Sequence, residues 1–463
     1  MLIRDADVLG RGRCDVRITG GRIADCGPGL DPLPGEDELS ARGGWLLPGL
    51  HDHHIHLRAL AAQDGSVRLG PPEVGDPETL IAVLRQVDRA LDPGSWIRAV
   101  GYHESVFGEL DRWALDRVLP NRPVRVQHRS GALWILNSRA AALVSLDDCD
   151  LPGVERDDAG QPTGRLWRLD SWLAERLPRR SVSLSAISAR ALRMGIVGFT
   201  DATPELPDES ISDLAEAVRR GEISQRLVCM APAKARDPEV ARFTLGPIKI
   251  ILDDETLPGI YDFAADITAA HAAGRPVAVH CVTRTQLALT QSALDIAGIA
   301  PGDRIEHAAI VPEESIPWLR EHGVQVVTQP HFVTERGAQY RRDVPAYEHS
   351  DLWRLRSLLD GGVAVAAGTD APFGNTDPWA AIRAAVHRPS WLPVNDCVPA
   401  GRALALFLGK PMAPGVPRTI APGHAADMTL LRVPRAEALR NPTAELVAAT
   451  WVDGELAYLT SRY

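Results

Sequence analysis

Eight short apolar runs, separated by stretches of helical periodicity, set the tightest limit on what this chain can fold into. They cover residues 51–56, 195–202, 225–230, 247–252, 277–282, 304–308, 324–329 and 363–368. Between them, pieces such as LPGIYDFAADITAAHAAG and EESIPWLREHG put apolar residues on one helical face and end on Gly. Strand–helix alternation builds parallel βαβ units, and eight such units predict an α/β fold, a (β/α)8 TIM barrel.

The two chain ends read differently. MLIRDADVLG and CDVRITGGRIADCG at the start are short strands broken by Gly turns, and LVAATWVDGELAY near the end is strand, Asp-Gly turn, strand. Termini often lie close together, so residues 1–46 and 412–463 are expected to join as a small β-sandwich flanking a barrel over 47–411. One interval, 58–190, is too long for a simple crossover and holds the strand-like runs WIRAVGY and PVRVQH. It is read as a structured insertion after the first barrel strand.

The chain has 463 residues and a net charge of −10, which argues against a phosphate-neutralising nucleic-acid surface. No apolar run approaches the ~18 residues of a membrane span. The N-terminal MLIRDADVLGRGR carries charges where an export signal needs an apolar core. Six scattered cysteines without a CxxC pair fit a reduced, cytoplasmic setting. The expected partner is a small-molecule substrate, with a homodimer as the default assembly.

In a barrel, reactive groups stand at the C-terminal ends of the strands. The first run, HDHHIH, holds four histidines, and His54 and His56 at i and i+2 project from one face of a strand. Lys249 lies on the fourth run, His280 on the fifth, His307 on the sixth, and Asp370 just after the eighth. Each has a plain structural reading: a polar strand end, a hydrogen-bonded core histidine, a turn-capping aspartate, a snorkelling lysine. Together, imidazoles and a carboxylate at one barrel mouth are ligands for a divalent metal, zinc first. Only three of the 50 basic residues are lysine (Lys234, Lys249 and Lys410), so a lysine kept on an apolar strand suggests a chemical need for a primary amine.

PGLHDHHIHL, IKIILDD, VHCV, RIEHA and GTDAP occur in the order of the amidohydrolase superfamily motifs. The chain resembles the amidohydrolase-3 (YtcJ-like) branch over nearly its whole length, including GQPTGRL in the insertion and ATWVDGELAY at the end. The resemblance implies a hydrolase that cleaves an amide, formamide or cyclic amide-like C–N bond at one or two metal ions. It implies that His54, His56 and Asp370 hold one ion, that His280 and His307 hold the second, and that carboxylated Lys249 bridges the two in a binuclear site. Asp370 would act as the general base. Glu306, one residue from His307, is expected to face away from the pocket, because strand neighbours point to opposite sides.

The sequence departs from that family where the substrate would sit. Arg168 stands near the place of a usual glutamate, Thr283-Arg284-Thr285 replaces Gly-Asp-Arg, and SGALWILNS lacks a usual histidine although His128 is near. His128, Arg168 and Arg341 are therefore candidate substrate contacts, with 331–344 and 61–76 as candidate pocket walls. The alternative function is a mononuclear-metal deaminase of a nucleobase-like or other heterocyclic amine. Such enzymes lack the fourth-strand lysine and carry His-x-x-Glu after the fifth strand, where this chain reads HCVTRT. A non-catalytic relative is a third reading, which the full ligand set disfavours.

Overall fold

The computed structural model describes residues 1–177, 183–461 and 463. The chain divides into two compact units, Met1–Leu57 with Leu184–Tyr463, and Arg58–Ser183. Residues 178–182 of the expected insertion lie outside the described residues.

Among the described residues, the first unit has a parallel strand at each of the eight expected places: β1 (Leu50–Ile55), β2 (Ile196–Asp201), β3 (Arg226–Cys229), β4 (Ile248–Ile251), β5 (Val277–Cys281), β6 (Arg304–His307), β7 (Gln325–Thr328) and β8 (Val365–Ala367); Phe243–Leu245 adds a further short one. They form two parallel sheets. One runs from Phe243–Leu245 through β3 and β2 to β1, and the other runs from β4 in order to β8. Phe243–Leu245 pairs with β3 and continues through Gly246 and Pro247 into β4, which pairs with β5. At the other edge, Asp370 N donates to His54 O (2.7 Å) and His56 N donates to Ala371 O (2.8 Å). With helices such as Asp208–Arg219, Ile260–Ala272 and Arg284–Ala297 between strands, this is a fold of TIM-barrel type.

Both chain ends enter one further sheet, in the order Glu455–Leu459, Val447–Val452, Met428–Leu431, Trp45–Pro48, Leu2–Val8, Gly12–Thr19, Arg22–Gly27; Glu38–Ser40 also pairs with Leu2–Val8. Two of its hairpins turn on Gly20-Gly21 and Asp453-Gly454, all four residues at positive φ, which is the geometry of a tight two-residue hairpin turn. Its apolar side buries Ile3, Val16, Ile18, Leu430 and Trp451 in one core.

The second unit carries a six-stranded sheet in the order Val154–Arg156, Pro162–Trp167, Leu133–Leu136, Val124–His128, Ile97–Tyr102, Val67–Arg68. The runs WIRAVGY and PVRVQH supply its parallel pair Ile97–Tyr102 and Val124–His128. Among the described residues, no helix is long and apolar enough to cross a membrane.

Close packing at the end of β8 positions the site. A Cβ on Gly368 would overlap the backbone of His54, so glycine is what lets β8 lie against β1. Gly368→Ala should cost about 1–3 kcal/mol through overpacking and should displace His54. Thermal unfolding checks this, and an unchanged midpoint would mean the two strands do not approach so closely.

Candidate metal centre

Of the four histidines in HDHHIH, two turn towards the ends of the other strands. His54 Nε2 lies 3.5 Å from Asp370 Oδ1, and His56 Nε2 lies 3.1 Å from the same oxygen. His51 instead bonds Thr200 Oγ1 on β2 at 2.9 Å, and His53 is fully buried with no hydrogen-bond partner for its ring. The aspartate of the run has a fastening role. Asp52 accepts from Thr369 N (2.9 Å) and from Thr369 Oγ1 (2.5 Å), and so ties β1 to the loop that carries Asp370. Burial pushes its carboxyl up to about 7, against the pull of the Thr369 hydrogen bonds.

His307 ends β6, and its ring centroid is 4.8 Å from that of His54 and 4.5 Å from that of His280. One donor atom from each of His54, His307 and Asp370 lies within 4.8 Å of the others, and all three residues are buried. Lys249, on β4, is buried, and its Nζ has no hydrogen-bond partner among the described residues. A proton on this amine would lower the pKa of both His54 and His307, so the three groups are electrostatically linked. Burial lowers the Lys249 pKa, against the attraction of Glu306 and Asp370.

Each of three imidazoles in the cluster has its Nδ1 set against an oxygen. His54 Nδ1 bonds Glu306 Oε2, His56 Nδ1 lies 3.2 Å from Thr203 Oγ1, and His307 Nδ1 lies 2.8 Å from Gln329 Oε1. A carboxylate or an amide oxygen only accepts, so at His54 and His307 the proton sits on Nδ1 and the Nε2 lone pair is free. That is the arrangement of metal-ligating histidines held by an outer oxygen. Burial lowers the pKa of His54 and takes that of His307 down to about 3, so both are neutral.

Glu306 does not face away from the site, contrary to the strand-alternation expectation. It is fully buried, with one oxygen on His54 and the other accepting from Arg304 Nε at 2.5 Å. The pleat ends at this point. His307 and Ala308 have φ of 70° and 50°, so the alternation of strand neighbours stops at Glu306. Although burial alone would raise it, the Glu306 pKa is held well below the carboxylate range by Arg304 and His54. Asp370 is likewise lowered, because the surrounding histidines outweigh its burial.

Two other residues at the site were not singled out by the sequence reading. Gln329 orients His307. His331, buried after β7, bonds Thr369 O through Nε2 (3.0 Å), and burial lowers its pKa to about 4. The signal available for both was position: Gln329 closes the seventh apolar run and His331 comes two residues later, at a strand end. The candidate substrate contacts fall in both units. Arg341 is exposed on the helix Gly337–Asp343, while Arg168, exposed, and His128, half-buried, belong to the second unit.

A buried amine without a hydrogen-bond partner among the described residues, imidazoles whose Nδ1 atoms face outer oxygens and one carboxylate fit a divalent cation. The model of the amidohydrolase family matches residues 37–458. An N-substituted formamide deformylase of Arthrobacter pascens is 25% identical, covering 96% of this chain and 94% of its own. The Bacillus subtilis amidohydrolase YtcJ is 24% identical over 86% of each chain. A solved metal-dependent hydrolase of Pyrococcus furiosus shares the fold with a TM-score of 0.73 at 18% identity, covering 93% of this chain and 98% of that one. The chain belongs to the amidohydrolase family, and it is a hydrolase acting on carbon–nitrogen bonds.

If Glu306 sets the tautomer of His54, Glu306→Gln should weaken metal binding about 10- to 100-fold. Competition with a chelator measures this, and an unchanged affinity would reduce Glu306 to a packing role.

Proposed function

We propose that this protein hydrolyses an amide, formamide or cyclic amide-like C–N bond of a small molecule at a divalent-metal centre. The observation that carries the proposal is the convergence of His54, His307 and Asp370 beside the partnerless, buried amine of Lys249. In this reading the two parallel sheets are one closed (β/α)8 barrel over 47–411 with its insertion, and the terminal sheet is the small sandwich of 1–46 and 412–463. Zinc is the favoured ion, for the imidazole-rich donor set. His54, His56 and Asp370 would hold one ion, and His280 and His307 a second. A bound divalent ion supplies a Lewis acid that polarises the scissile carbonyl and brings the pKa of water near neutrality.

The residues of the chain do the rest. Asp370 accepts the proton of the attacking water and delivers it to the departing nitrogen. His56, 3.1 Å from Asp370 Oδ1, orients that carboxylate. Burial lowers the pKa of Lys249, which favours the neutral amine that adds CO2 with loss of a proton; the resulting carbamate would offer anionic oxygens to the ions in place of a cation. A lone metal would need no such anion, so Lys249 favours this reading over the mononuclear deaminase. His128, Arg168 and Arg341 remain the proposed substrate contacts. The likeness to the formamide deformylase makes N-substituted formamides the first substrates to test, beside N-acyl amino acids, cyclic ureas and lactones. A cytoplasmic homodimer acting on a small molecule, without nucleic acid or membrane, belongs to the same proposal.

Asp370→Asn keeps the size and one acceptor oxygen but loses the base. Turnover on whichever amide of the panel is cleaved should drop about 10²- to 10⁴-fold with part of the metal retained. A drop of less than about tenfold removes Asp370 from the base role.

Lys249→Arg should be nearly inactive and should hold less metal at the catalytic cluster than the roughly two equivalents expected there in the parent, because arginine brings a permanent cation. In Lys249→Ala, acetate or propionate should fill the gap and restore some activity. Full activity and metal content in Lys249→Arg would make the mononuclear deaminase the better reading.

A further inference from the structure

The second unit contains another set of converging donors. Strands Ile97–Tyr102 and Val124–His128 run parallel with Tyr102 opposite His128, and Arg129 N donates to Tyr102 O at 2.9 Å. Both segments therefore leave the sheet at the same end, carrying His103 and His128. Glu104 follows His103 and meets both rings. Its Oε2 is 3.1 Å from His128 Nε2 and 3.8 Å from His103 Nε2. The two rings stack with centroids 5.8 Å apart, and one donor atom from each of the three residues lies within 4.8 Å of the others.

Each of these histidines stands two residues before a serine, in His103-Glu104-Ser105 and His128-Arg129-Ser130. The serine offers Nδ1 two alternatives. Its backbone N–H donates to Nδ1 at 3.1 Å in both cases. Its Oγ lies 2.9 Å from Nδ1 of His103 and 2.7 Å from Nδ1 of His128, in place to accept if Nδ1 carries the proton. Because the backbone N–H donates to Nδ1, the hydrogen bonds of the ion-free chain favour the neutral ring with its proton on Nε2. With the proton on Nε2, His128 donates to Glu104. With it on Nδ1, the Nε2 lone pairs of both rings face one carboxylate oxygen.

We propose that His103, Glu104 and His128 form a second divalent-cation site, with zinc as the best-fitting ion. Two neutral imidazoles and a carboxylate are a known zinc donor set, with metal–ligand bonds of about 2.0–2.2 Å. Such bonds in a tetrahedron put neighbouring donors about 3.3 Å apart, and the two observed separations bracket that spacing. Ligation through Nε2 requires each ring proton to move to Nδ1, where it donates to the serine Oγ in exchange for the bond from the serine backbone N–H. Glu104 and His128 are only half-buried, so the site is open to an ion. The site uses none of the residues proposed for the catalytic ions, and it stands or falls without them.

The test is made on the full chain carrying His54→Ala and His307→Ala, stripped with a chelator and titrated calorimetrically with Zn²⁺. One equivalent should bind in the micromolar range or tighter, and adding His103→Ala should abolish it. Glu104→Gln, which keeps size and hydrogen bonding, should weaken it about tenfold or more even if His103→Ala fails to fold. In the chain with its catalytic cluster intact, Glu104→Gln should lower the zinc content by one equivalent. No binding in the first background, or an unchanged affinity and zinc content with Glu104→Gln, overturns the site. Loss of the catalytic ions alone leaves these readings unaffected.

Discussion

The buried chain Arg304–Glu306–His54 is the interaction on which the site depends. All three side chains are almost wholly withdrawn from solvent, and a carboxylate so placed is tolerated only when both its oxygens are matched. Arg304 takes one oxygen and His54 the other, while a further nitrogen of Arg304 reaches His53 O at 3.3 Å. The sixth strand is thereby fastened to the first through charge as well as packing. The same bond leaves the Nε2 lone pair of His54 as the only free acceptor of the ring. Folding and ligand presentation are here one event.

The ends of the strands carry the remaining constraint. His307, Ala308 and Asp370 all adopt positive φ, a conformation that costs a residue with a side chain about 1–3 kcal/mol and persists where its surroundings over-determine it. Those surroundings are visible. Asp370 N is bonded to His54 O, Ala308 N returns to Glu306 O at 2.9 Å, and Asp52 grips Thr369 through two hydrogen bonds. Leaving the pleat at these points is what lets Glu306 and His307, adjacent in sequence, serve one site.

The two donor clusters reach similar composition by different routes. In the first unit, the Nδ1 partners of His54, His56 and His307 come from other strands or from the segments that follow them, so that tautomer is decided by tertiary contact. In the second unit, each Nδ1 partner is a serine two residues along the chain, whose N–H donates to the ring and whose Oγ lies beside it, so the tautomer is set by local structure. The first arrangement leaves Nε2 as the free acceptor of His54 and His307. In the second, the proposed ligation exchanges the backbone N–H bond for one to the serine Oγ.

The sequence alone determined the eight parallel strands, the β-rich ends and their Gly-Gly and Asp-Gly turns, because alternation and turn chemistry are short-range properties of the chain. It also marked His54, His307, Lys249 and Asp370, since strand ends are where such a fold collects reactive groups. Tertiary structure decided what each of those groups touches. Glu306 read as outward-facing because the alternation rule was carried one residue past the point where the backbone leaves the pleat. Gln329 and His331 had only their position to mark them, and His51 and His53, identical in type to His54, went to the far side of the same strand. Which nitrogen of a ring is free depends on the register of strands distant in sequence, and no local pattern encodes that register.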